Sequence, residues 1–272
     1  MTATPSSRTV HPGPAASDAP NTTRILSVFV LIAVTVGGLL LALSTVVNPS
    51  APFVLATVLF ALAGPALVLT HRESGGAGVR RLLRDCVRLP TAWWWLPLAG
   101  FGLPVVSWVA ASTLGGAQPL TRGVVAFYIA DLVIGALLIN IWEEMAWTGF
   151  FQRRAAARWG VLGGSLVTSV FFTAIHMPLC FDDFHGAGQV ATNLLFLAGV
   201  ATGVRLLIAR VDGWTGGSLL TIGVLHSSFN ATETLLDPAY DWVRITTTMT
   251  LGIGVMAFAK QSRTTTSPKA RA

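Results

Sequence analysis

Five polar side chains stand where an apolar chain should have none: Glu143, Glu144, His176, His226 and Asn230. They fall in three long hydrophobic runs, each of which places polar groups well inside its span. Insertion into a membrane charges about 2.5–3.5 kcal/mol for an acidic residue at mid-helix, so such residues default to functional candidates. Their types suit hydrolysis of a carbonyl compound. A carboxylate in a low-dielectric site is a competent general base for water. An imidazole can share that water, and a second imidazole with an amide can donate to a developing oxyanion. The same Glu143, His176 and His226 are also a ligand set for zinc with an open position. The residues alone leave both chemistries open.

Spacing favours convergence. Phe172 and His176 are four apart, as are His226 and Asn230, so each pair shares a helical face. Glu143 and Glu144 point about 100° apart on a helix and cannot play identical roles. One should face the cavity and the other should support it. At the helical rise, Glu143 lies roughly 18 Å from Asp131, His176 about 9 Å from Asp182 and His226 about 10 Å from Glu233. The mismatch in depth is roughly 8 Å, which helix tilt must absorb.

The elements that must hold these residues are membrane helices. Of 272 residues, 53% are hydrophobic and 11% charged, against about 25% charged in a soluble domain. The net charge of +6 would suggest nucleic acid in a soluble protein. Here the basic residues fall between apolar runs, which is the positive-inside pattern and no nucleic-acid signature. Eight runs approach the roughly 20 residues a crossing needs: 25–47, 51–70, 91–112, 131–152, 161–181, 189–209, 214–232 and 242–260. The fourth is expected to begin near Asp131, with 124–130 at the interface. With loop 71–90 in the cytoplasm, 16 of the 18 Lys and Arg fall on that side, Arg205 and Arg210 among them. Both termini are then cytoplasmic. The expectation is an all-α, polytopic bundle of about eight transmembrane helices over 25–260. A disordered cytoplasmic tail at 1–24 and a basic one at 261–272 flank it, and a bacterial cytoplasmic membrane is its expected place. Cys86 and Cys180 are expected on opposite sides, unpaired.

Three short motifs, in order, resemble the CPBP intramembrane proteases, also called the CAAX protease and bacteriocin-processing or abortive-infection family. Their pattern is EExxxR, FxxxH and HxxxN or HxxxD. Here it reads Glu143-Glu144 followed at the Arg position by Thr148, then Phe172 to His176, then His226 to Asn230. The resemblance covers about residues 95–235. It implies an intramembrane endopeptidase with Glu143 as base, Glu144 as its support, His176 as water-activating partner, and His226 with Asn230 on the oxyanion or metal side. The family is often labelled metalloprotease, with zinc the implied ion, although a metal-free glutamate mechanism is also proposed for it. The implied partners are the lipid bilayer and a peptide or membrane-protein substrate; prenylated substrates are not implied for this chain. Thr148 departs from the pattern, and Arg153 or Arg154 is the expected replacement for the missing guanidinium. Two other classes fit the buried polar groups: a membrane immunity or partner-binding protein that keeps the fold without catalysis, and a proton-coupled transporter. The missing inverted repeat weighs against the transporter.

Overall fold

The computed structural model describes residues 19–48, 50–181 and 186–265. Among these the chain is helical, with no β-strand and one isolated antiparallel bridge between Ala117 and Leu236. We number nine helices: α1 (19–46), α2 (51–74), α3 (76–87), α4 (Trp95–Thr113), α5 (122–159), α6 (161–176), α7 (Ala187–Trp214), α8 (Leu219–Ala231) and α9 (Asp241–Thr265). Among the described residues, five helical stretches are long and apolar enough to cross a membrane: Asn21–Val46, Ala51–Val87, Trp95–Thr113, Arg122–Phe181 and Ala187–Trp214. Glycines in the left-handed region break two of them, Gly75 (φ 61°) between α2 and α3, and Gly160 (φ 75°) between α5 and α6.

Helix ends differ from the sequence reading at three places. α1 begins at Ala19, inside the expected tail, of which residues 1–18 lie outside the described residues. α5 begins at Arg122, capped by the Thr121 hydroxyl accepting from the Val124 amide, so Asp131 is an exposed position inside the helix and not its edge. α9 runs on to Thr265. The expected outer carboxylates Asp182 and Asp183 lie outside the described residues.

The shift of α5 resolves the depth mismatch. Asp131 is the wrong ruler, and the Gly160 turn is the right one. Glu143 lies 17 residues before Gly160 and His176 lies 16 after it. Nearly equal residue counts on the two arms, one of them partly widened into π-turns, bring the two side chains to similar depth. Only a residue tolerant of positive φ makes that turn without strain.

The core around α5 is aromatic. Phe29 of α1 packs against Trp147, Phe150 and Phe151 of α5, with ring centroids 5.5, 5.1 and 5.7 Å apart. Across the helix, Gly223 of α8 sits against the α5 backbone. A Cβ there would lie 2.8 Å from the Ile141 Cα, closer than packed carbons allow. Such small-residue contact lets membrane helices approach closely, and it brings α8 onto α5 one turn ahead of the glutamates. The helix is also locally widened into π-turns on both sides of the pair, at Ala136–Asn140 and Met145–Gln152. Such turns occur preferentially at functional sites.

Candidate active site

The two adjacent glutamates are both buried, at 6% and 0% exposure, and they face different neighbours. Glu144 is bound on all sides. The Arg205 guanidinium donates Nη2 to Oε1 (2.5 Å) and Nη1 to Oε2 (2.9 Å). His226 Nδ1 lies 2.6 Å from Oε1, and the Thr148 hydroxyl donates to Oε2 at 2.5 Å. A carboxylate has about four acceptor positions, so Glu144 is saturated and has none left for water. Because a carboxylate held by a guanidinium only accepts, the hydrogen of that contact belongs to His226 Nδ1. Glu144 thus fixes the tautomer and ring orientation of His226.

Glu143 points the other way, toward α6. Its Oε1 lies 3.9 Å from His176 Nε2. His176 is oriented from behind: its Nδ1 donates to the Phe172 carbonyl at 2.8 Å, one turn earlier, which leaves the Nε2 lone pair facing Glu143. Both facing atoms are acceptors, and 3.9 Å is too long for a direct hydrogen bond. It is the separation a single water bridges, held about 2.8 Å from each.

Phe172 sits at the centre of the cluster. Its ring stacks on His176 (centroids 4.3 Å) and touches His226 (5.9 Å), and the Arg205 guanidinium lies 4.4 Å above it. The phenylalanine therefore acts as a spacer that separates two imidazoles and covers a buried cation, a geometry worth about 2 kcal/mol or more when desolvated.

The structure brings Glu143, Glu144, His176 and His226 together from α5, α6 and α8. Asn230 is not joined to them by any hydrogen bond among the described residues. It stands one turn beyond His226, exposed, near the end of α8. Arg205 corrects the sequence reading twice. It is not an interfacial anchor in a cytoplasmic loop but a fully buried residue inside α7. It also supplies the guanidinium missing at Thr148, which the expected substitutes do not: Arg153 pairs with Asp85 and Asp212, and Arg154 with Glu73. The available signal was the cost of a buried carboxylate, which demands a cation from a neighbouring helix.

A three-ligand zinc site does not fit these positions. Among the described residues no three His, Cys, Asp or Glu side chains come together as a metal-holding group. Zinc bonds of about 2.0 Å at tetrahedral angles put neighbouring donors about 3.3 Å apart, whereas Glu143 and His176 are 3.9 Å apart. The Nδ1 contact of His226 with Glu144 leaves Nε2 free and is itself the support a metal-bound imidazole commonly has, so the misfit lies in the spacing alone. Cys86 and Cys180 are free and buried.

Fold and site together define a membrane-embedded helix bundle with a carboxylate–imidazole centre inside it. Residues 125–232 match the family model for Rce1-like type II CAAX prenyl endopeptidases. The matched segment contains all three motifs, and the match agrees with the resemblance of those motifs to the CPBP family. No curated protein matches the chain.

Proposed function

We propose that the protein is a multi-pass intramembrane endopeptidase that hydrolyses a peptide bond with water activated by Glu143 and His176. The observation carrying this reading is the division of labour between adjacent glutamates. One is saturated by four donors, and the other faces an imidazole lone pair across a water-sized gap. The matched family supports the protease class.

In the proposed reaction, water between Glu143 and His176 gives a proton to Glu143, and its oxygen attacks the scissile carbonyl carbon. Negative charge moves to the carbonyl oxygen. The C–N bond then breaks as the proton passes to the departing amine, a general-base and general-acid sequence on one carboxylate. Asn230 at the outer end of α8 is the proposed donor to the oxyanion and would have to turn inward on substrate binding; His226, whose ring hydrogen goes from Nδ1 to Glu144, keeps only the Nε2 lone pair free. Substrate is proposed to be an extended peptide segment of a membrane protein, without commitment to a prenylated cysteine. The chain is proposed to cross eight times with both termini in the cytoplasm of a bacterial cell. Five long apolar stretches support part of that count; counting the two arms on either side of Gly160 separately and adding α8 and α9 gives eight, with α3 beyond Gly75 left in the cytoplasmic loop.

The test is cleavage of solubilised membrane proteome by purified, reconstituted protein, with new peptide termini read by mass spectrometry. Wild type should generate termini that the Glu143→Gln protein does not. Identical termini from both, or none from a correctly folded wild type, would overturn the protease assignment. A normal cellular phenotype in Glu143→Ala, His176→Ala would favour the partner-binding alternative.

A further inference from the structure

A polar cavity of about 210 Å³ lies between α2, α3 and α5. Thr70, Ser74, Arg81, Asp85, Arg153 and Arg154 line it. Its charges do not balance. Arg153 is shared between Asp85 (2.8 Å) and Asp212 (2.7 Å), Arg88 pairs with Asp85 (2.6 Å), and Arg154 pairs with Glu73. Four arginines thus meet three carboxylates, and the excess charge is Arg81, which is exposed and has no ion-pair partner among the described residues. At the other wall the Thr70 hydroxyl is buried, with the residue 4% exposed, and it makes no hydrogen bond. An unmade bond on a buried hydroxyl costs about 1–3 kcal/mol, so such a group signals a missing partner. The cavity is smaller than the roughly 300–1,000 Å³ of typical small-molecule pockets, which suits a single compact head group.

We propose that this cavity binds a singly charged phosphate group, with Arg81 supplying the balancing charge and Thr70 donating to a phosphate oxygen. Arginine's planar fork suits phosphate oxygens, and Asp85, already held by two arginines, adds no free negative charge. The cavity opens where the apolar α2 gives way to the basic α3, so the group is either the phosphodiester of an anionic lipid or free phosphate.

The test uses the full-length protein in phosphatidylcholine nanodiscs containing phosphatidylglycerol, with retained lipid counted by native mass spectrometry. Inorganic phosphate is titrated separately, read as a shift in unfolding temperature. Wild type should retain phosphatidylglycerol. Arg81→Gln and Thr70→Val should each lower occupancy by about tenfold or more, the loss expected for one charge-assisted or buried bond. Arg80→Gln, the exposed neighbour that does not line the cavity, should leave it unchanged. Retention insensitive to phosphate identifies a lipid head group. A phosphate-induced shift without lipid retention, lost in Arg81→Gln, identifies free phosphate. Equal binding of both probes by wild type and Arg81→Gln, or an equal loss in Arg80→Gln, overturns the site.

Discussion

Replacing Arg205 by leucine should cost the protein more than any other single change at its centre. The guanidinium is fully buried and makes two bonds to Glu144, at 2.5 and 2.9 Å. Without it, Glu144 remains in the interior with only Thr148 and His226 beside it. Removing one partner of a buried pair costs about 3–5 kcal/mol, because the remaining charge is left uncompensated. Loss of the contact over Phe172 is part of that cost. Removing both charges should cost far less, since a buried pair replaced by apolar residues of similar volume is often near neutral. Arg205→Leu is therefore expected to lose about 3–5 kcal/mol, and Glu144→Leu, Arg205→Leu to recover most of it. The assay is equilibrium unfolding in mixed micelles, followed by tryptophan fluorescence. The double protein should stay inactive despite its recovered stability, because His226 has lost the carboxylate that orients it. A single Arg205→Leu loss below about 1 kcal/mol, or a double mutant no better than the sum of the singles, would refute the account of Glu144 as a charge held by Arg205.

The remaining predictions concern where the cation sits and how the two central helices meet. Arg205→Thr combined with Thr148→Arg moves the guanidinium one turn along α5 from Glu144, within reach of the same carboxylate. It should restore cleavage that Arg205→Thr alone abolishes, and failure to restore it while stability recovers would show that position on α7, not charge, is what matters. Gly160→Ala should destabilise by about 1–3 kcal/mol, because φ 75° with ψ 168° is a backbone region nearly confined to glycine; no neighbour lies within 4 Å of a new Cβ, so the cost is that of the backbone alone. An unchanged unfolding midpoint would mean that the turn is not under this constraint.

Much of this site could be read from composition and spacing, and what could not has a definite cause. Four of the five candidate residues converge because buried polar groups are too costly to be scattered, so their occurrence in three apolar runs already implied proximity. The separate orientations of Glu143 and Glu144 followed from the 100° step between consecutive helical residues. Arg205 escaped because positive charge near the end of an apolar run reads as a topological anchor, and only three-dimensional packing shows whether it reaches the surface or a carboxylate. Asn230 failed to join the cluster for a related reason. A four-residue spacing places two side chains on one face, but burial does not follow from it: Asn230 is exposed while Ala231 and Thr232 directly after it are buried. Asp131 misleads as a marker of depth because it lies inside α5, which begins at Arg122. Measured from Gly160, the residue whose backbone conformation makes the turn, the same rise per residue places Glu143 and His176 at similar height. Glycines that fix turns are better rulers of depth than charges, because a charge in a membrane protein can be exposed, buried in a pair or poised for chemistry, while a left-handed backbone between two helices has one geometric consequence.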